Sequence, residues 1–310
     1  VVMANQVQRQ SRNVAIETLP SGYLVAPFQP EQDRFFLPAD YHFTFINEVL
    51  ATDSPETEAS GIWLHQQVQQ YRQRKADQAP LYYTTEVIDG SSDNFREVVR
   101  QGIQQIENGT LEKIVPSRTK QVSLPPGFNI SQTYLNLCRR YPHAMVSMLS
   151  TPETGTWLGA TPEVLVSIEN QQIFRTVALA GTQGFHEGVQ LKHVAWTQKE
   201  IEEQALVERY IISCFKKIRV REYEEHGPKT FVAGNLMHLK SDFTVDMKAI
   251  NFPQLGSVML QLLHPTSAVC GMPLEPALHF LKKHETHNRE LYAGYLGPVN
   301  IDGTTALFVN

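Results

Sequence analysis

One short connection restricts the fold of this chain more than any other feature of its sequence. Two apolar runs, residues 164–168 (VLVSI) and 172–179 (QIFRTVAL), are separated only by the polar residues 169–171 (ENQ). Such a connection joins neighbouring antiparallel strands, because parallel strands need a crossover of about a dozen or more residues. The sequence therefore predicts a β-hairpin, and with it an antiparallel sheet.

Other strands and helices are predicted in separate groups along the chain. Strand-like runs occupy residues 110–122, 144–149, 156–158, 229–236, 291–301 and 304–309, and helix-like patterns occupy residues 62–74, 95–108, 191–220, 252–263 and 274–284. This order predicts an α+β fold with antiparallel β-sheets flanked by helices, rather than a doubly wound βαβ fold. Since no repeat or linker interrupts the chain, residues 1–310 are interpreted as a single large domain.

The composition indicates a small molecule as the partner. Lys and Arg total 27 against 32 Asp and Glu, and no long basic run gives the chain the signature of a nucleic-acid-binding protein. The most apolar segment, residues 255–263, is too short to cross a bilayer, so a cytoplasmic location without a membrane partner is expected. Cys138, Cys214 and Cys270 are odd in number and widely spaced, which favours reduced core thiols over disulfides or a zinc site.

A long predicted helix places two carboxylates on its apolar face. Within residues 196–218 (WTQKEIEEQALVERYIISCFKKI), Glu200 and Glu203 share that face with apolar residues at helical spacing. These apolar residues are Trp196, Val207, Tyr210, Ile211, Cys214 and Ile218. An unpaired carboxylate is costly to bury. The two glutamates therefore indicate a metal ion, a buried salt bridge, or a helix end that stays in contact with water.

Two further charged residues occupy positions where a sheet could shield them from water. Glu163 follows Pro162 at the start of an apolar strand, where a partly desolvated carboxyl group would have a raised pKa and could act as a general acid. Lys113 alternates with Leu111 and Val115 on a predicted strand, and a lysine in apolar surroundings can lose its proton and act as a base. The simpler alternatives are an ordinary strand-entry glutamate and an exposed lysine.

Two loops and a histidine pair are weaker candidates. Residues 179–184 (LAGTQG) end a strand with glycines that permit close approach of a ligand to the backbone. Residues 264–273 (HPTSAVCGMP) would either line a pocket or simply connect two helices. His284 and His287 could pair as metal ligands, but the lysines and asparagine around them favour a solvated helix end.

Six segments, taken in order, resemble the chorismate-binding enzyme family, which contains isochorismate, salicylate, anthranilate and aminodeoxychorismate synthases. The segments are EKIVPSR (112–118), GATPEVLV (159–166), ALAGT (178–182), KEIEEQALV (199–207), HPTSAVCGMP (264–273) and RELYAGYLG (289–297). The resemblance covers roughly residues 90 to 310. It implies chorismate as the substrate and a single α+β domain whose antiparallel sheets pack around a central active site.

The resemblance also implies roles for individual residues. Lys113 matches the family's general base, which activates water, and Glu163 matches the general acid, which protonates the departing hydroxyl. Glu203 matches a Mg2+ ligand, with Glu200 contributing directly or through water. The positions that match substrate contacts are Gly181, Thr182, His238, Ala268 and Tyr292.

Three positions favour isochorismate as the product. Lys113 is typical of members that use water, Ala180 stands where aminodeoxychorismate synthases carry a nucleophilic lysine, and Ala268 stands where salicylate synthases tend to carry threonine. The resemblance thus implies Mg2+-dependent isomerisation of chorismate, with water adding at C2 as the C4 hydroxyl leaves. Salicylate synthesis and chorismate binding without catalysis are the alternatives. Menaquinone biosynthesis is expected as the commoner pathway, the other being siderophore synthesis.

The chain also differs from the family pattern. The family commonly has Glu-His where this chain has Glu203-Gln204. In the family, a substrate-binding arginine, a glycine-rich loop and a second metal-binding glutamate lie in a C-terminal segment beyond the last motif found here. A protein that ended at Asn310 is therefore expected to be inactive.

Overall fold

The computed structural model describes residues 1–4, 6–46, 49–50, 62, 66, 82, 92–186, 188 and 190–310. In this part of the chain, helices pack on a large antiparallel sheet, which confirms the predicted α+β fold. The α-helices are α1 (Ser92–Glu107), α2 (Ile130–Arg140), α3 (Gln198–Lys217), α4 (Leu255–Leu263) and α5 (Leu274–His284), and short 3₁₀ helices span Ile16–Thr18 and Leu191–His193. None of the helices described is both long and apolar enough to cross a membrane.

In the part of the chain that the structure describes, nine strands form the main sheet. In chain order, the strands among the described residues are β1 (Val2–Met3), β2 (Gln8–Gln10), β3 (Gly22–Ala26), β4 (Arg34–Pro38), β5 (Tyr41–His42), β6 (Phe45–Ile46), β7 (Val49–Leu50), β8 (Lys113–Ile114), β9 (Met145–Thr151), β10 (Gly155–Thr161), β11 (Val164–Glu169), β12 (Ile173–Gly184), β13 (Glu224–Ala233), β14 (Leu236–Asp246), β15 (Gly271–Met272), β16 (Tyr295–Val299) and β17 (Thr304–Val309). The main sheet has the order β13-β14-β12-β11-β17-β16-β3-β4-β2, with every neighbouring pair antiparallel. Short two-stranded sheets pair β1 with β5, β6 with β7, β8 with β15 and β9 with β10.

The predicted hairpin is the connection between β11 and β12. Glu169 pairs with Ile173 in antiparallel register, and Asn170 and Gln171 turn the chain with φ of 51° and 53°. Positive φ at these two positions fits a tight hairpin turn, whose geometry sets the register of the flanking strands. The hairpin prediction is confirmed.

One strand prediction is wrong in extent, and one strand was not predicted. Of residues 110–122, only Lys113–Ile114 pair with another strand, because the partner β15 has two residues and Pro116 offers no N–H for a longer ladder. The strand β14 has no counterpart in the prediction, although its residues alternate in burial from Met237 onward. The polar Ser241 at an inward position interrupts its apolar pattern. The predicted helix at residues 62–74 lies outside the described residues apart from two isolated positions.

Helix α3 is shorter than predicted and begins at Gln198. A capping box sets this start: the Thr197 side chain accepts a hydrogen bond from the backbone N–H of Glu200, and the Glu200 side chain accepts one from the Thr197 backbone. The predicted apolar face is buried at Val207, Tyr210 and further positions along the helix.

The main core lies between the sheet and helices α3 and α4. Phe215 of α3 lies 6.3 Å from Phe174 and 6.2 Å from Phe243 between ring centroids, and full burial of such a side chain contributes about 1.5–3 kcal/mol. A second core packs α1 and α5 around β8 and β15, and its buried residues are Phe28, Val98, Leu111, Cys270, Ala277, Phe280, Leu281 and Ala293. The two cores therefore hold β8 and α3 in fixed places.

All three cysteines are free, which confirms the prediction of unpaired thiols. Cys214 and Cys270 are buried in the two cores. Burial raises the pKa of the Cys270 thiol to about 12. Cys138 is only partly buried, so the prediction of a core position is wrong for this residue.

Candidate active site

A salt bridge between β8 and α3 joins two of the predicted site residues. Lys113 Nζ lies 3.1 Å from Glu203 Oε1. The Lys113 side chain is 14% exposed and the Glu203 side chain 33% exposed, so the pair lies at the edge between protein and solvent. Pairing with Met272 fixes the backbone of Lys113, which allows residues distant in sequence to meet here.

Glu163, at the entry to β11, is partly buried close to this pair. Its Oε1 accepts a hydrogen bond of 3.3 Å from Thr266 Oγ1. Burial of the carboxyl group raises its pKa to about 7, while the Thr266 hydroxyl and the positive charge of Lys113 act in the opposite direction. A carboxyl group with this pKa can give or take a proton near neutral pH.

A β-bulge in β12 lies beside helix α3. The register between β12 and β14 shifts between Ala180 and Thr182, and Gly181 has a φ of 62°. A Cβ atom at Gly181 would lie 3.2 Å from both the Cβ and the carbonyl oxygen of Glu200. Both the left-handed backbone and the tight approach to the helix therefore require glycine here.

His238 of β14 lies against this bulge. Its Nδ1 is 3.2 Å from Thr182 Oγ1. Burial lowers the pKa of His238, opposed by a hydrogen bond with the Gly181 backbone and by the charge of Glu203. The structure therefore brings four predicted residues together. His238 contacts Thr182 and Gly181, and the charge of Glu203 is close enough to affect the pKa of His238.

Glu200 caps the N-terminus of α3 and is not among the residues that contact Lys113 or Glu163 in the described structure. Its Oε2 accepts hydrogen bonds from the Thr197 backbone N–H at 2.7 Å and from Gln183 Nε2 at 2.9 Å. The Gln183 hydrogen bond is the main cause of a lowered pKa for Glu200. The sequence contained a signal for this role, because Thr197 and Glu200 have the spacing of a capping box. Its assignment as a Mg2+ ligand stays a prediction.

The loop at residues 264–273 wraps around Glu163 and β8. Thr266 binds Glu163, and Ala268 is partly buried two residues further on. Ser267 is 1% exposed, and its Oγ has no hydrogen-bond partner among the described residues. Tyr292 lies outside this loop and is 55% exposed, and Thr182 is the other exposed residue among the predicted substrate contacts.

Arg289 hydrogen-bonds two backbone segments of the site, and the sequence analysis did not identify it. Its guanidinium group donates to the carbonyls of Val115 and Val269 at 2.7 and 2.8 Å and pairs with Glu285 at 2.6 Å. The group also lies 4.2 Å from the ring centroid of Phe28. Arg289 thus ties the segment after Lys113 to the loop that contacts Glu163. Its place in the RELYAGYLG motif was the available signal.

Few side chains in the described structure could hold a metal ion. Among the residues placed in the structure, no group of three or more His, Cys, Asp or Glu side chains has a suitable arrangement. His287 Nε2 lies 2.9 Å from Ser117 Oγ, which gives that histidine a hydrogen-bonding partner instead. A site at Glu203 would fit Mg2+ best, since this ion retains several waters and is often bound through one or two carboxylates plus oxygens of the substrate.

Glu163→Gln is expected to stabilise the folded protein at alkaline pH. The pKa of Glu163 is raised from 4.5 to about 7, so the folded state holds this proton more tightly than the unfolded chain does. The stabilisation that the folded state gains from this bound proton is fully present below pH 4.5 and is lost as pH rises through 7. The loss is at most about 3 kcal/mol at pH 8. Urea unfolding at about pH 5 and pH 8 should show the stabilisation by glutamine growing with pH; an equal difference at both would contradict the assignment.

These groups define a site for acid–base chemistry on a small polar molecule. An amine, a carboxyl group with a pKa of about 7 and a carboxylate come together from β8, the start of β11 and α3. The chain belongs to the chorismate-binding enzyme family, since the family model described as "Chorismate binding enzyme" matches residues 36–310.

Several known proteins are similar to this chain. Isochorismate synthase DhbC of Bacillus subtilis is 26% identical over 217 residues, which are 66% of this chain and 54% of the relative. Isochorismate synthase MenF of Haemophilus influenzae is 26% identical over 208 residues, 64% of this chain and 46% of the relative. The chain thus spans about half the length of these curated relatives. A crystal structure of DhbC from Bacillus anthracis has a TM-score of 0.71 at 21% identity, covering 99% of this chain and 80% of that one, and it shares the fold.

Proposed function

We propose that this protein is an isochorismate synthase, an isomerase that converts chorismate to isochorismate with Mg2+ as cofactor. The observation that carries the proposal is the meeting of Lys113, Glu163 and Glu203 at one site. Support also comes from family membership and from relatives that are named isochorismate synthases. The proposed reaction adds water at C2 and releases the hydroxyl at C4.

Lys113 is the proposed general base and Glu163 the proposed general acid. The Lys113 amine takes a proton from the attacking water, and the protonated Glu163 gives one to the departing hydroxyl on the other side of the ring. A pKa of about 7 keeps much of Glu163 protonated near neutral pH, as a general acid requires. Burial of the carboxyl group is the physical cause.

Glu203 is the proposed Mg2+ ligand, with Glu200 as a second ligand directly or through water. Bound Mg2+ would supply positive charge for the ring carboxylate of the substrate. The pairing of the Glu203 carboxylate with the basic side chain of Lys113 supports the proposal that this position binds a cation. Because Glu200 caps α3 with one oxygen, contact through water suits it better.

Five residues are proposed to contact chorismate. At the bulge, Gly181 lets an anionic group approach the backbone, while Thr182 and His238 offer hydrogen bonds. Ala268 provides space within the loop whose Thr266 binds Glu163, and Tyr292 would close the solvent side. We further propose a cytoplasmic location and a role in menaquinone synthesis, with no nucleic-acid or membrane partner.

Purified full-length protein is expected to convert chorismate to isochorismate only when Mg2+ is present. Treatment with EDTA should abolish the conversion, and added Mg2+ should restore it, because the substrate carboxylate would otherwise lack its counter-charge. Chromatography of the products measures both effects. Accumulation of salicylate and pyruvate would indicate a salicylate synthase instead, and saturable binding without product would indicate a non-catalytic chorismate-binding protein.

A further inference from the structure

One edge of β12 is completed by a side chain instead of a strand. The pairing of β11 with β12 extends only from Glu169–Ile173 to Ser167–Arg175, so β11 does not reach residues 178–180. At these positions Gln204 Oε1 accepts the Ala180 N–H at 3.0 Å, and Gln204 Nε2 donates to the Ala178 carbonyl at 3.2 Å.

The geometry matches that of a strand neighbour. In an extended strand, the carbonyl of one residue and the N–H two residues later point to the same edge. One residue of a parallel neighbour would bind both groups with its own N–H and carbonyl. The Gln204 amide binds the corresponding groups of Ala178 and Ala180, and it therefore replaces that residue.

A buried network fixes the orientation of this amide. Gln204 is 1% exposed, and its Nε2 also lies 3.1 Å from Glu208 Oε1 and 3.3 Å from Ser241 Oγ. Ser241 Oγ in turn donates to Glu208 Oε1. The neighbours of Nε2 are all hydrogen-bond acceptors, whereas the neighbour of Oε1 is an N–H donor. Only one of the two possible orientations of the amide therefore satisfies its hydrogen bonds.

The two hydrogen bonds from Gln204 to Ala178 and Ala180, called the clamp below, lie where the candidate site is assembled. Ala180 directly precedes the Gly181 bulge, and Gln204 directly follows Glu203 on α3. A rigid link between Ala180 and Gln204 therefore sets the distance from the bulge to the Glu203 carboxylate. We infer that Gln204 is a positioning residue that holds the substrate-binding bulge of β12 in register with the Glu203 side of α3. Its effect on turnover rests on the proposed isochorismate synthase activity.

Replacement of the amide by an apolar side chain of similar shape tests the clamp. Gln204→Met should accelerate hydrogen exchange at the Ala180 amide and lower kcat/KM by about 10- to 100-fold, since small misplacements of a site have effects of this size. Gln198→Met is the matched control, because Gln198 is exposed on the first turn of the same helix and should change neither quantity. Exchange is read by mass spectrometry and turnover by product chromatography.

Exchanging donor and acceptor provides a rescue. Gln204→Glu alone places a carboxylate oxygen against both Glu208 and the Ala178 carbonyl, so repulsion should displace the side chain from Ala180 and make exchange at that amide fast. Adding Glu208→Gln restores an N–H between the two side chains and should recover protection and part of the turnover. This pair of variants decides the matter if Gln204→Met does not fold.

The possible outcomes distinguish a failure of the inference about Gln204 from a failure of the proposed function. Unchanged exchange at Ala180 in Gln204→Met, or no rescue by Glu208→Gln, would overturn the clamp. Faster exchange with unchanged kcat/KM would overturn the positioning role. A wild-type protein that makes no isochorismate would instead overturn the proposed function, while the exchange experiment would still decide whether Gln204 holds β12.

Discussion

Lys113→Ala is expected to slow the proposed formation of isochorismate by about 10²- to 10⁴-fold or more, the usual contribution of a positioned general base, which is the role proposed for Lys113. The amine is held by Glu203 at the edge of the site and is mostly shielded from solvent. Alanine removes the amine that is proposed to accept a proton from water. Single-turnover measurement of isochorismate from chorismate, with Mg2+ in excess, reports the chemical step.

A charge-preserving variant separates proton transfer from the salt bridge. Lys113→Arg keeps a cation next to Glu203, but the guanidinium group stays protonated at every accessible pH. It should therefore be nearly as slow as alanine while unfolding at a temperature close to that of wild type. Lys120→Ala is the matched control, since Lys120 is an exposed lysine of the same segment and should leave the rate unchanged. Wild-type turnover by Lys113→Arg would remove Lys113 from proton transfer.

Glu163→Gln is expected to lower kcat by a similar factor, about 10²- to 10⁴-fold. Glutamine has the same shape and can still accept the Thr266 hydrogen bond, but it has no proton to give to the departing hydroxyl. The loss should appear in kcat more than in KM, because proton donation matters in the transition state and little in binding. An undiminished kcat would assign the acid role to another group.

The pH dependence of the wild-type enzyme gives an independent check on Glu163. Because the acid must be protonated, kcat should fall as pH rises above about 7. The Thr266 hydroxyl lowers the pKa of Glu163, so Thr266→Val should raise that pKa and move the decline in kcat to higher pH. Thr266→Ser retains the hydroxyl and serves as the control. A shift to lower pH in the valine variant would contradict the assigned hydrogen bond.

Local signals in the sequence account for much of the fold. The hairpin at residues 169–171 follows from the length of its connection, and α5 and β17 match their predicted ranges because their burial pattern has a clear period. β14 was missed because Ser241 occupies an inward position, where it binds Glu208. A polar residue that is buried with a distant partner weakens the period from which a strand is predicted.

The two glutamates of α3 illustrate how far the candidate site could be predicted from the sequence. Periodicity places Glu200 and Glu203 on one face of the helix, and it gives no means to distinguish them. Glu200 accepts hydrogen bonds from Thr197 and Gln183, whereas Glu203 pairs with Lys113. The capping box could have separated the two from the sequence, but the pairing with Lys113 could not.

The sequence by itself determined the hairpin between β11 and β12, the ranges of α5 and β17, the inward face of α3 and the residue types available for acid–base chemistry, because helix and strand periods depend on neighbours along the chain. Only the tertiary structure decided that Lys113 meets Glu203 across 90 positions, that Glu163 is desolvated against Thr266, and that Gln204 completes the edge of β12. The physical reason is that desolvation and hydrogen bonding depend on which surfaces pack together, and two separate cores fix that packing here.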